Sequence, residues 1–233
     1  MSEIKNVKLL ITVVNRENQE PIMKIYKKHK VSFFVMTHGS GTGSSSLMEY
    51  FGINEIKKNV IFSVIPADIE MLLMKDLQEK LKIYLPGRGI AFTISISSSS
   101  KYLSNLYNNV SLKKEVYTMK NNEDFDLIML IVEEGYAEQA MSSAKKTGAK
   151  GGTLIHGRGL GTKEATKFLG ITIEPEKDIV MILVNKKEKM KIMEKLTESV
   201  GLSTPGRGIC FSVPVDNVVG FSEHITFEKL DEE

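Results

Sequence analysis

Tryptophan is absent from this chain, cysteine occurs once among 233 residues, and no long apolar run is present. The single cysteine, Cys210, excludes an intrachain disulfide and fits a reducing compartment. Its neighbours Ile209 and Phe211 place it in a strand-like run, where it reads as core packing rather than as a nucleophile. Charge of one sign is also lacking, with 31 Lys and Arg against 29 Asp and Glu, so nothing drives the whole chain toward nucleic acid or an anionic membrane. The opening stretch MSEIKNVKLLITVVNRE returns to charge after a short apolar run, far from the roughly 20 apolar residues of a spanning helix, and a cytoplasmic protein is expected. Catalytic signatures are missing too. No Ser/His/Asp or Cys/His constellation can be read, and neither a GxxxxGK[ST] loop nor a strand-linked GxGxxG in a βαβ setting occurs, so no enzyme activity is predicted. His38 and His156 have no further His, Cys or carboxylate at ligand spacing, and no metal site is predicted.

What the sequence does contain is an internal repeat. A shift of 118 residues places Leu9 on Leu127, Val14 on Val132, Met23 on Met141, and HGSGTG (38–43) on HGRGLG (156–161). One extra residue within EPEKD makes the shift 119, and PGRGI at 86–90 then falls on PGRGI at 205–209. Two copies of one fold are joined in tandem. Residues 1–97 are read as the first domain, 98–124 as a linker rich in Ser, Asn and Lys, and 125–233 as the second domain. Spaced apolar residues in the linker, such as Leu103, Leu106 and Val110, leave room for a docked helical turn or an edge strand.

Each copy alternates strand-like and helix-like periodicity in the order β-α-β-β-α-β, with strands such as VKLLITVV and NVIFSVIP in copy one and FDLIMLIV, DIVMILV and ICFSVPV in copy two. The helices are expected near 18–30, from Asp68, at 136–147 and at 186–200, the last with Met190, Met193 and Leu196 inward. This pattern predicts an α+β fold of two ferredoxin-like repeats, each an antiparallel sheet with both helices on one face. Near-continuous apolar strands predict burial on both sheet faces.

The connection after each HGxGxG segment is longer than the two to five residues usual between antiparallel strands. Ala165 to Leu169 is expected as a short helix closed by Gly170, and in copy one Ser46 and Glu49 have capping-box spacing before Gly52. Alternating glycines at such a root have two readings: a tight turn or bulge leaving the strand, or a cradle of backbone amides for an anion.

The GGTLIHGRGLGT segment, the long connection after it and the TPGRGICFSVPVDNVVGF ending resemble the nitrogen regulatory P-II (PII) signalling proteins, and the whole chain resembles a tandem member of their superfamily. That resemblance implies trimer-like homo-oligomers that bind an adenine nucleotide (ATP, ADP or AMP) between the base of a long T-loop and a Gly-rich B-loop of neighbouring subunits. It implies regulation of a membrane transporter or metabolic enzyme through the T-loop. Carried over, the T-loop bases include His156, Gly157, Arg158, Gly159 and Gly161, with His38, Gly39 and Gly41 in copy one. The B-loops include Gly206, Arg207 and Gly208, with Gly87, Arg88 and Gly89 in copy one, and the two arginines would meet phosphate.

The chain departs from the family pattern at three places. The T-loop glutamine position holds Gly161 or Leu160, and Gly43 or Thr42 in copy one; the B-loop lysine aligns with Ile209 and Ile90; and DNVVGFSEH offers no arginine. Copy one has drifted further, so ligand binding is expected to be stronger, or confined, at the loops of copy two. The other readings are a ligand-free adaptor that keeps the fold and a CutA-like metal-tolerance protein.

Overall fold

A computed structural model of the chain describes residues 7–42, 56–100, 107, 117–119, 124–159, 166–168, 171–173, 176–221 and 225–229. The first repeat contains β1 (Val7–Asn15), α1 (Gln19–Lys28), β2 (Phe33–Gly41), β3 (Ile56–Pro66), α2 (Glu70–Leu81) and β4 (Gly89–Ser95). A short β5 (Tyr117–Met119) precedes the second repeat, which contains β6 (Phe125–Glu133), α3 (Ala137–Lys146), β7 (Thr153–Arg158), β8 (Thr166–Phe168), β9 (Ile171–Ile173), β10 (Glu176–Asn185), α4 (Lys189–Val200) and β11 (Ile209–Val215). The chain continues through β12 (Val218–Val219) and β13 (Phe227–Lys229). Both repeats therefore show the βαββαβ order and the antiparallel sheet that the periodicity predicts, the second with the separate β8–β9 pair inserted between its middle strands.

Two compact units are present, each discontinuous in sequence. Unit 1 gathers 1–38, 58–124 and 215–233; unit 2 gathers 39–57 and 125–214. In unit 1 the strands lie in the order β2-β3-β1-β4-β12, with β1 antiparallel to both β3 and β4. In unit 2 the order is β11-β6-β10-β7, with β10 antiparallel to β6 and β7. The end of β2 belongs to unit 2, where Ser40 and Gly41 pair with Leu154 and Thr153. Thr42 fastens that end, its amide donating to Gly152 O at 2.9 Å and its Oγ1 accepting from the Gly152 amide at 2.8 Å.

Each unit has its own core under its helices. In unit 1, Leu10 and Val14 of β1 and Ile61 and Ile65 of β3 meet Ile22, Ile25 and Tyr26 of α1 and Leu73 and Leu77 of α2. The Tyr26 hydroxyl, fully buried, is satisfied by Thr12 Oγ1 at 3.1 Å and Ser63 Oγ at 3.0 Å, as a buried phenol requires. Ile11 and Val13, on the opposite face of β1, are only 3% exposed. The strand is thus buried on both faces, as its unbroken apolar run predicts. In unit 2 the equivalent core joins Ile128, Leu130, Val180 and Ile182 to Ala140, Ala144, Ile192 and Leu196.

Two local expectations are corrected. Thr166–Phe168 is a strand rather than a helix, paired antiparallel with Ile171–Ile173. A five-residue helix cannot recover its nucleation cost, whereas Thr166, Ile171, Thr172 and Ile173 are β-branched and suit a pleat. Met190 is exposed rather than inward, because α4 begins at Lys189 and its buried stripe runs through Ile192, Leu196 and Val200. Within 98–124, Tyr107 is buried beside Val7 with its hydroxyl donating to Val64 O, and β5 pairs with β13. Leu103, Leu106 and Val110, like Ser46, Glu49 and Gly52, lie outside the described residues.

Candidate functional site

Each repeat carries, near the end of its second strand, a histidine hydrogen-bonded to a residue of the next long strand. In unit 2, His156 of β7 faces Asp178 of β10 in register, with Nδ1 2.8 Å from Asp178 Oδ1. Asp178 is 2% exposed, and its Oδ2 accepts the Gly135 amide at 3.0 Å. A carboxylate so buried needs such donors, and this one ties the histidine to the turn between β6 and α3. Arg158, two residues on, donates through Nε and Nη2 to Glu176 Oε1 at 3.0 and 2.7 Å, an exposed cross-strand pair. Gly157 lies between them in the β7–β10 ladder opposite Lys177; Gly159 follows the strand, and Gly161 lies outside the described residues.

The glycine turn before β11 is built tightly onto the end of α4. Thr204 N donates to Gly201 O at 2.9 Å, Arg207 N to Thr204 O at 3.0 Å, and Gly208 N to Val200 O at 2.6 Å. A Cβ on Gly208 would lie 2.4 Å from Val200 O, so only glycine fits. Copy one repeats the first two bonds, from Leu85 N to Lys82 O at 3.0 Å and from Arg88 N to Leu85 O at 3.2 Å. Gly89 is equally constrained, its Cβ position 2.6 Å from Val13 O. The amides of Arg88, Arg207 and Gly208 are therefore spent inside the turns, and an anion there would meet the exposed arginine side chains rather than those amides.

A lysine-led dipeptide that belongs to no glycine motif links histidine root to glycine turn in both units. In unit 2 it is Lys177-Asp178: Asp178 holds His156, Lys177 Nζ donates to Glu133 Oε1 at 2.6 Å, and the Glu133 amide donates to Gly206 O at 3.0 Å. In unit 1 it is Lys58-Asn59. The Asn59 Oδ1 lies 3.2 Å from His38 Nδ1, while Lys58 Nζ donates to Asn15 Oδ1 at 2.5 Å and directly to Gly87 O at 2.7 Å. Burial pulls the Lys58 ammonium below the ordinary lysine range, with the charge of Glu17 opposing. The signal was present in sequence, because the 119-residue shift carries KN at 58–59 onto KD at 177–178.

The described predicted residues of one repeat thus gather at one end of its sheet, apart from Gly39 and Gly41, which belong to unit 2. They do not converge on a point. Gly157, Lys177, Glu133 and Gly206 stand on successive strands or at the turn beside them, so root and turn are roughly 14 Å apart at the usual strand spacing. Among the described residues no group of three or more His, Cys, Asp or Glu is placed to hold a metal ion, and no helix is long and apolar enough to cross a membrane.

The family model described as nitrogen regulatory protein P-II matches residues 125–224. No curated protein matches the chain. Among solved structures, Arabidopsis thaliana PII bound to citrate is 21% identical over 41% of this chain and 78% of its own, with a TM-score of 0.30. The GlnK–ATP complex of B. subtilis is 18% identical over 40% of this chain and 84% of its own, with a TM-score of 0.31. An unknown protein from Galdieria sulphuraria is 12% identical over 91% of this chain and 99% of its own, with a TM-score of 0.30. Residues 125–224 thus carry a P-II domain, and the first repeat returns the same strand order and glycine motifs.

Proposed function

We propose that this protein is a tandem PII-like regulator that binds an adenine nucleotide between a T-loop base and a B-loop and signals by rearranging its long loops. The P-II match over 125–224 is the observation that carries this reading, since the matched span contains both the His156 root and the Arg207 turn. The donor set suits a phosphate chain: an oriented histidine, a lysine (buried at 58, half-buried at 177) and an exposed arginine stand at one end of the sheet in each repeat. A root and a turn roughly 14 Å apart cannot both grip the same phosphate group. The reading therefore places each ligand between the root of one copy and the turn of a neighbouring copy, in a trimer-like homo-oligomer.

The regulated partner would be a membrane transporter or metabolic enzyme of the cytoplasm, in the nitrogen-regulatory manner of the family. Calorimetric titration of purified protein with ATP, ADP and AMP tests the reading. Saturable heat from one of them supports it; none at millimolar concentration overturns it and favours an adaptor that has kept the fold without the ligand.

A further inference from the structure

The two repeats place the same lysine in opposite electrostatic settings. Lys177 and Glu133 are directly opposed in the β10–β6 register and form an ion pair at 2.6 Å. Lys58 and Asn15 occupy the corresponding register positions of β3 and β1, but the partner is a neutral amide. Lys58 is also the more enclosed of the two lysines, at 6% exposure. Its two bonded acceptors, Asn15 Oδ1 and Gly87 O, are both uncharged. The next residue makes the same exchange. Asp178, buried between His156 and the Gly135 amide, is replaced by Asn59, 1% exposed, whose Nδ2 has no hydrogen-bond partner among the described residues.

These exchanges remove negative charge from beside the lysine. Lys177 with Glu133 and Asp178 sums to one negative formal charge and Lys58 with Asn15 and Asn59 to one positive, a difference that Glu17, acting on Lys58 and matched by Gly135 in the second repeat, narrows. Lys58 and Asn59 point to opposite faces of β3, so Asn59 acts by withholding a nearby negative charge rather than by sharing the ligand. A buried ammonium whose bonded acceptors are all neutral, with Glu17 as the nearby negative charge, is costly until a further anion reaches it.

We propose that the residue opposite the lysine sets which repeat accepts a polyanion: Asn15 leaves Lys58 able to hold a di- or triphosphate chain beside the Gly87–Arg88 turn, and Glu133 silences Lys177. This deepens the nucleotide reading and rests on it for the ligand's phosphate class. It reverses the ordering drawn from the loop sequences, which favoured copy two. Lys58 supplies a compact charge and exposed Arg88 a planar fork, a pairing suited to adjacent phosphate groups.

Reciprocal exchanges on the full chain test the proposal, with sodium tripolyphosphate as the probe and calorimetry at fixed ionic strength as the readout. Asn15→Glu builds in the first repeat the ion pair that the second already tolerates, so folding is expected to survive, and matching near-UV circular dichroism checks it. Affinity is expected to fall about tenfold or more in Asn15→Glu, and Glu133→Asn is expected to add a second binding event per chain. Tripolyphosphate that fails to bind the natural chain, or binds both exchanged chains as it does the natural one, overturns the proposal. ATP binding untouched by either exchange overturns it while leaving the nucleotide reading standing. Tripolyphosphate binding that follows the exchanges, without any adenine nucleotide binding, upholds it and overturns that reading instead.

Discussion

His29 Nε2 lies 2.7 Å from Asp76 Oδ2, joining the end of α1 to α2 through a pair that is almost entirely buried. Lys28 and Lys80 approach the same oxygen at 2.6 and 2.9 Å. Burial alone would raise the Asp76 carboxyl, but the two lysines and the histidine outweigh it and hold its pKa down to about 2. For His29, burial prevails over the attraction of Asp76 and, with the two lysines, holds its pKa below the ordinary histidine value.

Both shifts make the fold weaker in acid. A histidine held low binds its proton first in the unfolded chain, so stability is lost as pH falls below about 6.5. A carboxylate held at about 2 contributes stability above its unfolded value of 3.8 and loses it as pH falls from there. Asp76→Asn is expected to cost about 2 kcal/mol at pH 7 and to flatten the lower of these two windows. Urea unfolding at pH 7, 5 and 3 reads both effects, and parallel stability profiles for the two proteins would show that the pair is idle.

The glycine turns allow a comparison between steric and conformational demands. Gly208→Ala drives a Cβ to 2.4 Å from Val200 O and is expected to cost roughly 3 kcal/mol through displaced backbone. Gly87 has open space around its Cβ position but a φ of +75°, so Gly87→Ala is expected to cost only about 1 kcal/mol. Thermal melts of the two variants give the ranking, and equal losses would mean that the tight approach at Val200 is not what requires glycine.

Asp178 accepts two hydrogen bonds that no neighbour replaces in the described structure. Asp178→Ala is expected to destabilise the protein by about 2 kcal/mol, while Asp178→Asn, the arrangement already present at Asn59, is expected to cost under about 1 kcal/mol. Chemical denaturation measures both, and an alanine variant as stable as the natural chain would remove the carboxylate's structural role.

Much of this fold is legible in the sequence because the repeat states it twice. A period-two run or an amphipathic helix recurring 118 residues away has a single common solution, and Ile209–Val215 begins and ends as a strand where its apolar run does. Pairings contributed by the other copy carry no such mark. Neither Ser40 beside Leu154 nor Val219 beside Ala91 follows from aligning each repeat with its twin, yet these contacts place 39–57 with unit 2 and 215–233 with unit 1. The site divides similarly. Glycines announce turns because their conformational freedom is local, but Lys58 and Lys177 gain meaning only when β-register sets Asn15 or Glu133 opposite them.

Arg207 provides the sharpest separation of fold from ligand. It sits exposed at φ +45° in a turn fixed by backbone bonds from its own amide and from Gly208, so its side chain is not needed to close that turn. Arg207→Ala is therefore expected to leave the melting temperature within a few degrees of the natural chain, because an exposed substitution usually shifts stability by about 0.5 kcal/mol or less. If this guanidinium meets phosphate, the same variant should lose about 1.5 to 3 kcal/mol of ATP affinity, the range for a charge-assisted hydrogen bond. Calorimetry and melting on one preparation give both numbers. Lost affinity with an intact melt assigns the arginine to the ligand; unchanged affinity assigns the second glycine turn to architecture alone.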